Sequence, residues 1–497
     1  MHPFPSPRVS RLLRHGFAIL LLAGVGIAAA NPATATRDAD KAETGKPSVL
    51  PADLNQRVDA LAQQYVDLGI FSGVVLVADQ GKPVYLRAFG QADRTTGTPV
   101  TADTRFAIGS MNKTFTRILV LQLISEGKLD FDSHLTDILD GFTQPDAGKI
   151  TVRQLLDHQS GFGDYHSPAF LDSPPESRTI ANILPLLRNM PLLFEPGSDR
   201  QYSNAGYVLL GAIVEKVTGK SYVDNIEQRI AKPLMLDSLV TRNVKQAAHR
   251  AIGYSLGIDG IEDNEHFISE PLPDGGLFAD ADDVLALYRE FFRGDRLLDK
   301  AVKARDDFFQ RIQPVFDEKH RAIPLAGGFN GANSVDMELL AEDVSIVVLA
   351  NMNEPVAERL ADGIFRIIQG QQPAAPALPA GISVYRAYQQ HGADYVREHF
   401  ADLTRNWTEQ DPRDLILNGL GYDLLFSGRT DDAVAIFRLN TELFPDIGNC
   451  WDSYGEALLK QGHKAAALAA YRKALAINPG LPSAQQAVQE LDDAGNP

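Results

Sequence analysis

Leu54 to Leu68 reads as a first helix. Two short β-like runs follow, Gly73 to Ala78 and Pro83 to Phe89, joined by Asp79-Gln80-Gly81-Lys82. That pattern predicts a β-hairpin. The run Ile118 to Ile124 is apolar on nearly every side, which suits a helix buried within a domain, and Gly127 stands where such a helix would end. A largely helical stretch, punctuated by Pro and Gly, extends to about Asp299. Strand-like runs return at Ser334 to Leu340 and Val344 to Ala350, separated by Ala341-Glu342-Asp343. A closing helix is expected over Pro355 to Gln369. The N- and C-terminal segments are therefore expected to share one antiparallel sheet, flanked by helices and interrupted by a mainly helical insert. This is an α+β domain over residues 53–370.

Beyond it the pattern changes. Residues 371–381 are rich in Pro and Ala, the composition of a semi-rigid linker. Residues 382–497 read as helical throughout, and a 34-residue period relates Gly428 to Gly462, Phe437 to Tyr471 and Pro445 to Pro479. That is the tetratricopeptide period, and about two repeats are expected over 414–480 in an all-α C-terminal domain. Helices between Tyr385 and Phe400 would cap the first repeat.

Composition narrows the class. With 497 residues the chain is too long for one ordinary core, and 44% hydrophobic with 22% charged residues describes a globular protein. A formal net charge of -17 argues against a general nucleic-acid binder. Arg8, Arg11 and Arg14 precede the apolar run Gly16 to Ala30, which ends in small residues. Residues 1–30 thus read as a cleaved signal peptide and 31–52 as a flexible leader, so a periplasmic or secreted protein without a stable membrane anchor is expected. Cys450 is the single cysteine, which excludes an intramolecular disulfide and suits a small helical core residue.

Two constellations carry chemistry. Ser110 and Lys113 stand three apart at the entrance to the buried helix, on one face, so the amine can lie against the hydroxyl. A lysine kept neutral by burial can take the serine proton. The second is Tyr202-Ser203-Asn204. A phenol near a lysine can shuttle protons, and an asparagine amide can orient an acyl substrate. Asp157, His158 and Ser160 suggest a Ser-His-Asp triad, but they are neighbours in sequence and no G-x-S-x-G elbow accompanies them. His158 reads instead as a hydrogen-bonding histidine in the site wall. No H-E-x-x-H, C-x-x-C or phosphate-loop motif occurs, so neither metal nor nucleotide cofactor is implied.

Five segments together resemble the serine β-lactamase-related family of class C β-lactamases, D-alanyl-D-alanine carboxypeptidases and penicillin-binding-protein-like esterases. They are 106–116, 151–162, 194–219, 232–236 and 275–283. The resemblance implies that Ser110 is the acylated nucleophile, that Lys113 and Tyr202 jointly move its proton, and that Asn204 contacts the substrate amide. The family's third motif, a His or Lys, any residue, then Gly, aligns best with Leu325-Ala326-Gly327, followed by Gly328. An N–H near Gly328 could pair with that of Ser110 as an oxyanion hole, while Leu325 stands at the cationic position. Gly327, Gly328 and Asn330 are expected at the substrate, with Asn333 as a further candidate. The implied activity is hydrolysis of a small ester, amide or peptide through an acyl-enzyme, with a β-lactam or D-amino-acid peptide among the candidates. The alternative is a hydrolase fold with decayed chemistry that presents its repeats to a protein partner, or to a second copy of the chain.

Overall fold

The computed structural model describes residues 48–353, 355–405 and 412–493. The expected signal peptide and nearly all of the leader lie outside them. The described residues form two compact units, 48–255 with 263–375, and 256–262 with 376–493.

The first unit is built on a five-stranded antiparallel sheet. In chain order it comprises α1 (Leu54–Asp67), β1 (Gly73–Asp79), β2 (Lys82–Phe89), α2 (Asn112–Ser125), α3 (Asn204–Thr218), α4 (Ala281–Arg293), β3 (Ile323–Phe329), β4 (Ala332–Leu339), β5 (Val344–Ala350) and α5 (Val356–Ile368). Shorter helices and two-residue strands fill the insert. The strand order is β2-β1-β5-β4-β3. The N-terminal hairpin therefore joins the C-terminal strands through β1 and β5, with Gly73 opposite Ala350 and Asp79 opposite Val344.

Central β5 is buried along its whole length, and so is β1 except at Asp79. That is why both read as continuous apolar runs rather than alternating ones. The two faces of β4 are distinguished by its polar residues. On one, Asn333 Oδ1 accepts from Ala357 N of α5 at 2.6 Å. On the other, the Ser334 hydroxyl donates to the Ala107 carbonyl at 2.9 Å, just ahead of the Ser110 segment.

Helix α2 is buried at every position except Gln122 and Ser125, which explains its apolar run. Gly127, at φ 68°, lies two residues beyond its last turn in the left-handed region that glycine favours. Arg117 of α2 is buried and bridges Asp157 and Asp306, tying the helix to the 151–162 segment and the distal insert. Helix α3 starts on Ser203, whose hydroxyl accepts from Gly206 N at 2.8 Å, and stops at left-handed Gly219.

The second unit is helical apart from residues 256–262. It comprises α6 (Ala380–Leu403), interrupted at Gly392, then α7 (Asp414–Phe426), α8 (Thr430–Leu443), α9 (Gly448–Lys460), α10 (Lys464–Ile477) and α11 (Pro482–Asp493). The 34-residue period is visible as packing. A Cβ on Gly421 of α7 would lie 2.7 Å from the Phe437 ring of α8, and one on Gly455 of α9 3.0 Å from the Tyr471 ring of α10. Each pair thus meets as a glycine against an aromatic ring. Gly428 and Gly462 make the intervening turns at φ 82° and 93°. Cys450 is fully buried, and that burial pushes its thiol up to about 12, as suits a core residue.

Candidate active site

A tight turn, Gly109–Met111, leads into α2 and leaves Ser110 partly exposed at its mouth. Gly109 has φ 49°, and a Cβ there would collide with Gly328 N of β3. The strand carrying Phe106 and Ala107 pairs with Phe278 and Ala279, so the turn is held from the insert side as well.

Two groups converge on the serine. Its Oγ accepts from Lys113 Nζ at 3.0 Å and from the Tyr202 hydroxyl at 2.7 Å. Lys113 is buried, and its amine also donates to Asn204 Oδ1 and to the Asp274 carbonyl, each at 2.8 Å. Burial lowers the Lys113 amine to about 8, against the opposing charges of Asp274, Tyr207 and Asp164. The ammonium also lies 4.8 Å from the centre of the Tyr202 ring.

His158 packs its ring 4.8 Å from that of Tyr202 and 5.2 Å from that of Tyr207. Its Nδ1 accepts from Ser203 N at 3.1 Å, which positions the Tyr202-Ser203-Asn204 segment. Loss of water, then the nearby Lys113, Arg117 and Arg200 cations, lower its imidazole to about 3, so the ring is a neutral acceptor. Asp157 accepts from Arg117 and Arg311, while Ser160 is buried and bonds to Phe162 N. These three neighbours therefore do not form a catalytic triad.

Strand β3 lies directly against the Gly109–Met111 turn. A Cβ on Gly327 would fall 2.5 Å from Ser110 N and 2.6 Å from Met111 N, an approach that any side chain would prevent. Gly327 and Gly328 thus stand beside the Ser110 turn. Leu325, two residues earlier on the same strand, is partly exposed and packs on the main core. Asn330 and Asn333 depart from the expectation. The Asn330 carboxamide oxygen accepts from the Ser255 hydroxyl, and its carbonyl accepts from Asn264 Nδ2 at 2.9 Å. Asn333 is fully buried and caps α5. The β3–β4 turn carries Asn330 past the end of the strand that faces Ser110, and Asn333 points to the opposite sheet face.

Comparison with known proteins identifies the family. A sequence profile of the beta-lactamase family matches residues 58–371. The chain belongs to the beta-lactamase family. A tetratricopeptide repeat profile also matches 448–481, the α9–α10 pair. Among relatives, a penicillin-binding protein of Bacillus subtilis (strain 168) is 27% identical over 344 residues, covering 62% of this chain and 75% of that protein. Esterase EstB of Burkholderia gladioli is 34% identical over 199 residues, covering 37% of this chain and 50% of the esterase. The octameric penicillin-binding protein homologue of Pyrococcus abyssi superposes with a TM-score of 0.58 at 22% identity, covering 68% of this chain and 82% of that one; it shares the fold. The chain thus spans three quarters of the first relative and half of the second.

In this beta-lactamase-family site, sequence reading missed Asp164 and Asp274. Asp164 Oδ1 accepts from Asn204 Nδ2 at 3.2 Å and lies 2.6 Å from His166 Nδ1. Burial would raise its carboxyl, but the His166 contacts and the Asn204 amide hold it down at about 2. Asp274 is buried and accepts from the Tyr165 hydroxyl at 3.1 and 3.2 Å. Neither carries a local signature, since each meets the site only through long-range folding. Asp164 follows the 151–162 segment by two residues and Asp274 immediately precedes 275–283, so adjacency to matched segments was the signal available.

Proposed function

We propose that this protein is an exported serine hydrolase that cleaves small esters or amides through an acyl-enzyme on Ser110. The observation that carries the reading is the double contact on Ser110 Oγ, from Lys113 at 3.0 Å and Tyr202 at 2.7 Å. In the acylation step Ser110 Oγ bonds to the substrate carbonyl carbon while its proton passes to the Lys113–Tyr202 pair. The carbonyl oxygen becomes an oxyanion, for which the N–H groups of Ser110 and Gly328 are the nearest candidates. Collapse of that adduct breaks the bond to the leaving group, which departs with the proton from the pair. Water then repeats the sequence on the acyl-enzyme, and the Ser110 proton is restored. Asn204, held by Lys113 on one side and Asp164 on the other, is suited to orient the acyl group.

The preferred acyl donors are those without a carboxylate beside the scissile bond. Leu325 offers such a group no partner, and Asp164 brings a negative charge close to Asn204. Esterase EstB is a named relative consistent with this preference. Decayed chemistry has little support, because all four polar groups are intact and in mutual contact. The tetratricopeptide-like helices supply a surface for a protein partner or for self-association.

The test is labelling of the purified chain with a fluorophosphonate probe, alongside turnover of a nitrophenyl ester. Ser110→Ala should abolish both while the protein stays folded. Lys113→Ala and Tyr202→Phe should each cost at least about a hundredfold, the usual range for a positioned acid or base. Unchanged turnover in Ser110→Ala sinks the assignment. N-terminal sequencing of the exported protein tests removal of the signal peptide.

A further inference from the structure

The segment 272–274 is fastened along α2 by three successive carbonyls. Asn112 Nδ2 donates to the Leu272 carbonyl at 3.0 Å, the Thr116 hydroxyl to that of Pro273 at 2.6 Å, and Lys113 Nζ to that of Asp274 at 2.8 Å. On its other side Pro273 sits against Gly211 of α3, where any Cβ would collide with the proline ring. Leu272 and Gly275 close the turn with reciprocal backbone hydrogen bonds of 2.8 and 3.1 Å. Asp274 is thereby fixed between the two helices that carry Lys113 and Asn204.

The consequence concerns the direction of the Lys113 lone pair. A neutral amine has two N–H donors and one lone pair. Two of its three neighbours, Asn204 Oδ1 and the Asp274 carbonyl, are oxygens that can only accept. Both donors are taken by them, which leaves the lone pair aimed at the third neighbour, Ser110 Oγ.

The Asp274 side chain has a second effect. Its carboxylate is buried and takes the Tyr165 hydroxyl as a hydrogen-bond donor. Other ionisable groups around the amine are Tyr202 and Tyr207 on the Asn204 side, Asp164 and His158 from the 151–166 segment, and Arg117 one turn along α2. Of the opposing charges, that of Asp274 acts most strongly on Lys113.

We propose that Asp274 is a positioning residue for acyl transfer, its carbonyl orienting the Lys113 amine on Ser110 and its buried carboxylate serving as counter-charge to the Lys113 ammonium. This rests on the reading above, in which Lys113 takes a proton from Ser110. Removing the negative charge makes the ammonium easier to deprotonate.

The full-length protein, labelled with ¹³C at lysine Cε, is titrated by NMR, with the Lys113 signal assigned by its loss in Lys113→Arg. In Asp274→Asn the Lys113 midpoint should fall by about one pH unit or more, and Asp274→Glu should restore it towards the native value. Asp274→Ser is a second neutral variant should Asp274→Asn fail to fold. A Lys113 midpoint that stays in place in a folded neutral variant overturns the proposal. The acidic limb of kcat/KM for a nitrophenyl ester is followed in parallel. If the midpoint falls but the limb does not follow, Asp274 keeps its role as counter-charge, and it is Lys113 as the proton acceptor that fails.

Discussion

Leu325 places a branched hydrocarbon where its family resemblance implies a cation or an imidazole, and the strand around it shows what that substitution leaves. The backbone of Gly327 and Gly328 still reaches Ser110, so the proposed oxyanion donors are independent of side-chain chemistry two residues away. A substrate carboxylate has no such independence. Beside Leu325 it would be desolvated without a partner, which is costly, and Asp164 near Asn204 adds like-charge repulsion. The value of kcat/KM for a short-chain nitrophenyl ester should therefore exceed that for a cephalosporin. Leu325→His should raise the cephalosporin value selectively and leave the ester value within a few-fold. If the native enzyme already turns over cephalosporins near the diffusional range of about 10⁷ M⁻¹s⁻¹, another residue holds the carboxylate. Asn330 and Asn333, which looked suitable in sequence, are poor candidates because Asn330 lies in the turn beyond the end of β3 and Asn333 is fully buried against α5.

At the scale of elements, the site is the meeting of a helix start with a sheet edge, and glycines make that meeting close enough. Gly327→Ala tests this. Its Cβ would fall 2.5 Å from Ser110 N, so the edge strand and the Ser110 turn must separate. The loss of one oxyanion donor should lower kcat by about 10²–10³, with far less effect on KM. Equal losses in kcat and in overall stability would mean that the glycine serves folding alone. The same elements show why part of the site was legible in the sequence. Ser110 and Lys113 are one helical turn apart and Tyr202 and Asn204 straddle a helix start, so local rules place each pair. The apolar runs of β1 and β5 revealed the central strands because both are buried on both faces. Asp274 and Asp164 reach Lys113 and Asn204 from distant segments, and no spacing rule connects them. Asn330 misled because sequence proximity to Gly328 does not record the turn that begins between them and β4. The 34-residue period was legible because each repeat needs a glycine at the same turn and an aromatic ring at the same helix position.

For the whole molecule the governing quantity is charge against pH. The chain carries a formal net charge of -17 at pH 7, so rising pH adds self-repulsion to an already acidic surface. Two carboxyls inside the sheet act in the same direction. Asp336 and Glu338 stand two apart on β4, on one face, and both are buried. Burial raises both, Asp336 well above the usual range, with the neighbouring Glu338 adding to it. Glu338 rises from 4.5 to about 7, against the Ser345 hydrogen bond and the Arg293 and Arg289 charges. A carboxyl raised in the folded state binds its proton more tightly there than when unfolded, so stability falls as pH climbs from 4.5 through about 7. Asp164 works oppositely. Its carboxyl, lowered from 3.8 to about 2, contributes stability above 3.8 that is lost as pH falls towards 2. Thermal melting should therefore be highest near pH 4 and decline towards pH 7.5. Glu338→Gln, which keeps an acceptor for the Ser345 hydroxyl, should flatten that decline while leaving the acid side unchanged. Melting curves of the two proteins at half-unit intervals from pH 3 to 8 decide it. If Glu338→Gln loses stability between pH 5 and 7.5 as steeply as the native chain, the decline belongs to Asp336 or to surface repulsion, and added salt should remove only the second.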